Sequence, residues 1–176
     1  YNPEFLREKT ALQDFIESPF LIFGGKEKNC KELSDFYKKY TLCKTDDHIF
    51  VDAVAASFIK YTVNVFLATK VIFFNQLFEL FNKSNSQLGW KELTNIIGKD
   101  QRIGKSHMLV PGHDGRKGFG GACFPKDIKA FYEYSKSSKE PFSLLENIIN
   151  INNEIRLSYN DQIDREEEQK TSFIDD

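Results

Sequence analysis

Between Ile49 and Phe81 the chain contains neither glycine nor proline. Nothing in that run would stop a helix, because those two residues are the strongest helix breakers. Val51, Val54, Phe58, Tyr61, Val65, Ala68 and Ile72 recur three and four apart and form one helical seam. Ile59, Val63, Phe66, Phe73 and Leu77 cover a second face. The run therefore predicts a single helix roughly 50 Å long. A helix apolar on more than one face must be buried on more than one side, and packing between protomers would supply that burial.

Two polar residues interrupt this apolar run at a telling spacing. Lys60 and Asn64 are four apart, which puts both side chains on one helix face. An ammonium and an amide in an apolar stretch need partners if they are buried. The bland reading is a lysine whose stem packs while its head reaches water.

The second informative stretch is Gly118-Phe119-Gly120-Gly121-Ala122-Cys123-Phe124-Pro125-Lys126-Asp127. A turn of small residues delivers a cysteine to the start of a predicted helix. Pro125 suits the first helical turn, and Asp127 places an acid there, where the helix dipole favours it. Ile128, Phe131 and Tyr132 continue at helical spacing. A thiol at such a position meets unpaired backbone N–H groups and the positive end of the dipole, and both favour the thiolate. The glycines permit a sharp turn and close approach of a ligand. The competing reading is a buried structural cysteine in a Gly-rich turn.

The flanking segments complete an expected architecture. Pro19–Gly24 reads as a short buried strand. Glu27–Tyr40 reads as an amphipathic helix with Leu33, Phe36 and Tyr37 on its apolar side. Thr41–Lys44 is a candidate second strand. Leu88–Asp100 reads as a helix closed by Gly98, and Pro-Gly and Asp-Gly dipeptides mark turns between Leu109 and Gly118. Phe142–Tyr159 reads as a further helix with Leu145, Ile148, Ile149, Asn152 and Ile155 along one side. Residues 161–176 are rich in Asp and Glu and read as a disordered acidic tail. The fold class expected is mainly α: a long central helix with packed helices, plus a small α/β piece.

Composition narrows the function classes. The net charge of −2 gives no hint of nucleic-acid or anionic-membrane binding. Seventeen phenylalanines point to aromatic packing in the core or at an interface. Cys30, Cys43 and Cys123 make neither a disulfide framework nor a metal pair, and a reducing, cytoplasmic compartment fits them. His48, His107 and His113 share no ligand spacing, so no metal site is expected. No signal peptide is expected, and no apolar run free of charge is long enough to span a bilayer.

The ten residues from Gly118 to Asp127 closely resemble the active-site motif of the UDP-glucose/GDP-mannose dehydrogenase family. Three further segments fit in order. Asn2-Pro3-Glu4-Phe5-Leu6-Arg7-Glu8 resembles the family's substrate-binding loop. Ile59–Ala68, with Lys60 and Asn64, resembles its catalytic helix, and Asp100-Gln101-Arg102-Ile103-Gly104 its intersubunit arginine segment. The resemblance implies three regions. Residues 1–45 would be the C-terminal remnant of an NAD-binding Rossmann domain, 46–160 the central helical dimerisation and catalytic domain, and 161–176 the tail. No strand followed by G-x-G-x-x-G occurs, and Gly118-Phe119-Gly120-Gly121 lacks the third glycine. The cofactor site of the family is therefore expected to be missing from this chain, as is its C-terminal sugar-nucleotide domain.

The resemblance also implies chemistry. Cys123 would be the nucleophile in a two-step NAD-dependent oxidation of a UDP-sugar, through a thiohemiacetal and a thioester. Lys60 and Asn64 would stabilise developing negative charge. Asp127 would act as or position a general base, and Glu8 would assist hydrolysis. Glu4, Phe5, Leu6 and Arg7 would line the sugar nucleotide, together with Lys60 and Asn64. Arg102 would reach the sugar in the neighbouring subunit of a homodimer, and Gly120 would let backbone touch the sugar. Lys126 and Glu8 would approach NAD. Two alternatives remain open. One is a truncated, inactive dimerisation scaffold or sugar-nucleotide binder. The other is an unrelated helical interaction module whose cysteine is structural.

Overall fold

The computed structural model describes residues 1–159; the expected acidic tail lies outside them. After a 3-10 turn at Glu8–Thr10 the elements are α1 (Ala11–Ile16), β1 (Leu21–Gly24), α2 (Glu27–Tyr40), β2 (His48–Val51), α3 (Ala53–Asn82), α4 (Trp90–Ile97), α5 (Phe124–Ser137) and α6 (Ser143–Leu157). The fold is mainly α with one small sheet. It forms two compact units, Tyr1–Val63 and the residues from Asn64 on; α3 begins in the first and continues into the second.

In the first unit β1 is buried along its whole length and pairs in parallel with β2, Leu21 opposite His48 and Gly24 opposite Val51. Helix α2 makes the crossover, so the three elements form a βαβ unit. The second strand is not at Thr41–Lys44 as the sequence suggested. The Thr41 hydroxyl donates to the Tyr37 carbonyl at the end of α2 and accepts the Cys43 N–H, and the Lys44 N–H goes to the Ile16 carbonyl. That backbone is spent on closing α2 and tying it to α1. The residues left to pair with β1 are His-Ile-Phe-Val, β-branched and aromatic, which suit a pleated surface.

The same strand moves the start of the long helix from Ile49 to Ala53. Asp52 marks the change: its Oδ1 accepts the N–H groups of Val54 and Ala55, each at 2.9 Å. Helix α3 then runs 30 residues, about 45 Å. The apolar side of α2 also differs from expectation. Cys30 and Ser34 are buried and Tyr37 half-buried, while Leu33 and Phe36 are exposed. Phe23 of β1 sets that choice, because Tyr37 packs edge-on against it with ring centroids 5.3 Å apart. Gly24 is needed where β1 meets the start of α3. A Cβ there would stand 2.4 Å from the Ala56 Cβ.

In the second unit α3 supplies Val65, Ala68 and Ile72 to a core completed by Phe119, Ile128 of α5, and Leu145 and Ile148 of α6. A smaller cluster joins Phe74 to Met108 and Val110, with Trp90 and Ile97 of α4 against it. Helices α4 and α6 lie within the ranges expected from sequence, and Gly98 caps α4. The predicted seam along α3 is only partly realised. It enters the core at Val65, Ala68 and Ile72, but Val54 and Phe58 are exposed, as are Phe66, Phe73 and Leu80. By length and hydropathy α3 also meets the requirements for crossing a membrane. Its core residues Val65, Ala68 and Ile72 mark it as a helix packed within protein.

Candidate active site

Cys123 stands at the N-cap of α5, with helical backbone angles (φ −97°, ψ −57°), and is exposed. Its carbonyl accepts the Asp127 N–H at 3.1 Å, which closes the first turn, and Pro125 needs no partner there. Asp127 lies one turn on and is 6% exposed. Two donors satisfy its carboxylate. The Asn64 Nδ2 donates to Oδ2 at 2.6 Å and the Lys126 Nζ to Oδ1 at 2.5 Å. A buried carboxylate is tolerable only with such partners. The result is an open thiol one helical turn from a fixed carboxylate–amide pair, groups able to attack a carbonyl and to handle a proton nearby.

The backbone leading to Cys123 is held from beneath. Asn152 of α6, 1% exposed, grips Phe119 on both sides of its peptide unit. Its Oδ1 accepts the Phe119 N–H at 2.7 Å and its Nδ2 donates to the Phe119 carbonyl at 3.0 Å. The Gly118 N–H donates to Asn75 Oδ1 of α3 at 3.0 Å, and Arg156 Nη2 reaches the Gly118 carbonyl at 3.3 Å. Arg156, also buried, pairs with Asp114 Oδ2 at 2.7 Å. Gly118 has φ +74°, and a Cβ there would stand 2.7 Å from the Asn152 Oδ1. The Phe119 ring packs edge-on to Phe124, the residue after the cysteine.

In the first unit the segment 2–8 is held at three points. The Asn2 Nδ2 donates to the Ile22 carbonyl at 2.6 Å and its Oδ1 accepts the Tyr37 hydroxyl at 2.7 Å. Lys60 Nζ donates to the Glu4 carbonyl at 2.5 Å and lies 5.2 Å from the centre of the Phe5 ring. Arg7 holds Asp14 through its backbone N–H, Nε and Nη2. The Arg7 hydrogen bonds hold the Asp14 carboxyl well below the usual carboxylate range. Leu6 is half-buried beside them, and Glu8 opens the 3-10 turn.

Arg102 sits on a tight turn in the second unit, its side chain 90% exposed. Its backbone N–H and its Nε both reach Asp100 Oδ1 at 3.0 Å, and these bonds pull the Asp100 carboxyl below its ordinary value. Lys70 of α3 fastens the far side of the turn, donating to the Ile103 carbonyl at 2.7 Å; burial lowers the pKa of its ammonium.

Comparison with known proteins identifies the family. The family model described as the central domain of the UDP-glucose/GDP-mannose dehydrogenase family matches residues 54–154, more than half of the chain. The chain belongs to this family. The UDP-glucose 6-dehydrogenase of Rickettsia bellii is 38% identical over 156 residues, covering 87% of this chain and 34% of that protein. UDP-glucose 6-dehydrogenase YwqF of Bacillus subtilis is 33% identical over 153 residues, covering 86% and 32%. Among solved structures, a UDP-glucose dehydrogenase from the hyperthermophilic archaeon Pyrobaculum islandicum superposes with a TM-score of 0.69 at 32% identity, covering 86% of this chain and 33% of that one. The chain thus spans about a third of the length of the relatives it matches.

Within this dehydrogenase-family chain the predicted residues fall into three groups. Asn64, Lys126 and Asp127 are joined by hydrogen bonds at the head of α5, with Cys123 in the same turn and half-buried Gly120 just before it. Lys60 is joined to Glu4 and Phe5, and Arg7 to Asp14. The hydrogen bonds of Arg102 go to Asp100 on its own turn. Sequence reasoning placed Asn152 on an apolar helix side without giving it a task, and it passed over Asn75 and Arg156. The available signal was the one noticed at Lys60 and Asn64: a polar residue inside an otherwise apolar helical stripe.

Proposed function

We propose that this chain supplies the thiol chemistry of a UDP-glucose 6-dehydrogenase-type reaction, the oxidation of a UDP-sugar 6-hydroxyl to the uronic acid. The observation that carries this reading is the exposed Cys123 thiol at the head of α5, one turn before a buried Asp127 bonded to Asn64. Cys123 adds to the carbon of an aldehyde: the C–S bond forms and the carbonyl oxygen takes a proton. By family kinship Asn64 and Lys60 stabilise the oxygen on which charge develops. Later a water adds to the thioester carbon, with Asp127 and Glu8 handling its proton. The C–S bond then breaks to release the carboxylate and regenerate the thiol. Glu4 to Arg7, Arg102 and Gly120 bind the UDP-sugar.

Two oxidations, of the alcohol to that aldehyde before the addition and of the thiohemiacetal to the thioester after it, each need a hydride acceptor, NAD by family kinship. The residues present do not make a dinucleotide cradle. β1 passes to α2 through Gly24-Gly25-Lys26, without the three-glycine phosphate turn. Lys126 and Glu8 are the residues of this chain that would approach the cofactor. On this reading residues 1–45, with their βαβ unit, are the end of a Rossmann domain and 46–160 the central domain. The exposed Val54, Phe58, Phe66, Phe73 and Leu80 of α3 support a homodimer through that helix. Three free cysteines suit a cytoplasmic setting.

The test replaces the matching segment of the Rickettsia bellii enzyme with residues 1–155 of this chain and follows NADH formation from UDP-glucose. NADH that disappears with Cys123→Ser supports the reading. A folded chimera that makes no NADH, or one indifferent to Cys123→Ser, overturns it.

A further inference from the structure

We infer that Asn152, with Asn75 and Arg156 beside it, is a positioning residue for Cys123: it sets the thiol's reactivity by fixing the backbone that delivers it. This rests on Cys123 being the nucleophile. Three observations converge on it. First, the two ends of one side-chain amide hold both polar groups of a single residue, Phe119, so the peptide planes on either side of that residue are fixed in translation and tilt. Second, the neighbouring Gly118 is tied on both of its polar groups, by Asn75 to its N–H and by Arg156 to its carbonyl, and α3 and α6 therefore hold the same two residues. Third, all three side chains are buried, Asn152 at 1%, Asn75 at 3% and Arg156 at 4% exposure, where a hydrogen bond meets no competition from water.

A structural purpose alone does not account for where these residues act. A polar cluster in a core costs free energy unless every group is paired, and an apolar stripe on α6 would pack with Phe119 without it. The polar groups converge on the two residues from which the Gly120-Gly121 turn leaves for the cysteine. Gly121, at φ +76°, is a soft joint. Without an anchor at Phe119 the thiol would swing on that joint. With the anchor, the edge-on contact of Phe119 with Phe124 links the fixed backbone to the first residue of α5. Reactions of a positioned group depend on such pre-set geometry, and small displacements are costly.

The experiment measures carbamidomethylation of Cys123 in the 176-residue chain by iodoacetamide, read on the Cys123 peptide by mass spectrometry. The fluorescence of Trp90, the one tryptophan and packed beside Phe74 in the same unit as Asn152, is followed as an internal monitor of opening. Each rate is compared with that of the same chain in denaturant. In the wild type Cys123 reacts faster folded than unfolded; if it does not, the nucleophile reading itself fails. Asn152→Leu, close in volume, is expected to slow folded-state Cys123 alkylation about fivefold or more, with the Trp90 emission unchanged. Asn152→Asp keeps the acceptor for the Phe119 N–H and restores part of the rate. If Asn152→Leu does not fold, as a shift of the Trp90 emission would reveal, Asn75→Ala, which removes the Gly118 N–H acceptor together with the bond from its own Nδ2 to the Val71 carbonyl, is read in its place. A fast wild-type thiol whose rate is unchanged in these folded variants overturns the proposal and leaves the cluster a purely structural one.

Discussion

Two of the predicted site segments, 2–8 and 118–127, are held in opposite ways. The approach to Cys123 is fixed by buried amides and a buried arginine, each aimed at backbone groups. The segment 2–8 buries Pro3 and half-buries Asn2, Phe5 and Leu6, and is held further along by one lysine and by an exposed arginine at Arg7. Hydrogen bonds shielded from water keep one geometry, whereas exposed ion pairs compete with solvent and contribute little. The arrangement gives a rigid platform under Cys123, the proposed nucleophile, and a segment that can adjust, as suits a loop expected to line a ligand.

The largest effect should come from the rigid side. Gly118→Ala forces a left-handed backbone on an L-residue and drives its Cβ into Asn152 Oδ1. A loss of about 2–4 kcal/mol is expected in chemical denaturation. A loss below about 0.5 kcal/mol would show that the approach yields more easily than its buried bonds imply. Next comes Asn2→Ala, which removes the bonds to Ile22 and Tyr37 and should cost about 1–2 kcal/mol. If it costs as much as Gly118→Ala, the two segments do not differ in the way described.

Lys60→Met removes the bond to the Glu4 carbonyl while keeping the aliphatic stem. Global stability should barely change, and native-state trypsin cleavage after Arg7 should quicken by about threefold. No change would mean that Lys60 does not restrain the segment. The smallest effect is one of pH. Because Arg7 lowers the Asp14 carboxyl, its contribution is fully present above the unfolded-chain value of about 4 and is lost as pH falls toward the lower folded value. Nuclear magnetic resonance of the Asp14 carboxyl should show it still ionised at a pH where exposed aspartates have taken up their proton. Asp14→Asn should abolish that part of the acid sensitivity.

The helices were legible because their information is local. The glycine- and proline-free run, the alternation of three and four, and Pro125 after Cys123 all act within a few turns, and α2, α3 and α5 appear close to where those patterns place them. The pairing of Asn64 with Asp127 was half legible: the sequence singled out both residues without joining them. The position of β2 was not legible, because Thr41–Lys44 and His48–Val51 are both short and apolar enough to pair. The choice turned on which backbone was already occupied by α2 and α1.

By itself the sequence determined a long central helix, a cysteine at a helix start, and the motif order that places the chain in its family. It determined these because helical periodicity and capping are properties of neighbouring residues. Tertiary structure alone decided that Leu33 and Phe36 face out and that Asn75, Asn152 and Arg156 meet at Gly118 and Phe119. Residues so far apart along the chain become partners only once α3 and α6 share a core. The free energy of leaving a buried amide unpaired then forces them onto backbone groups within reach.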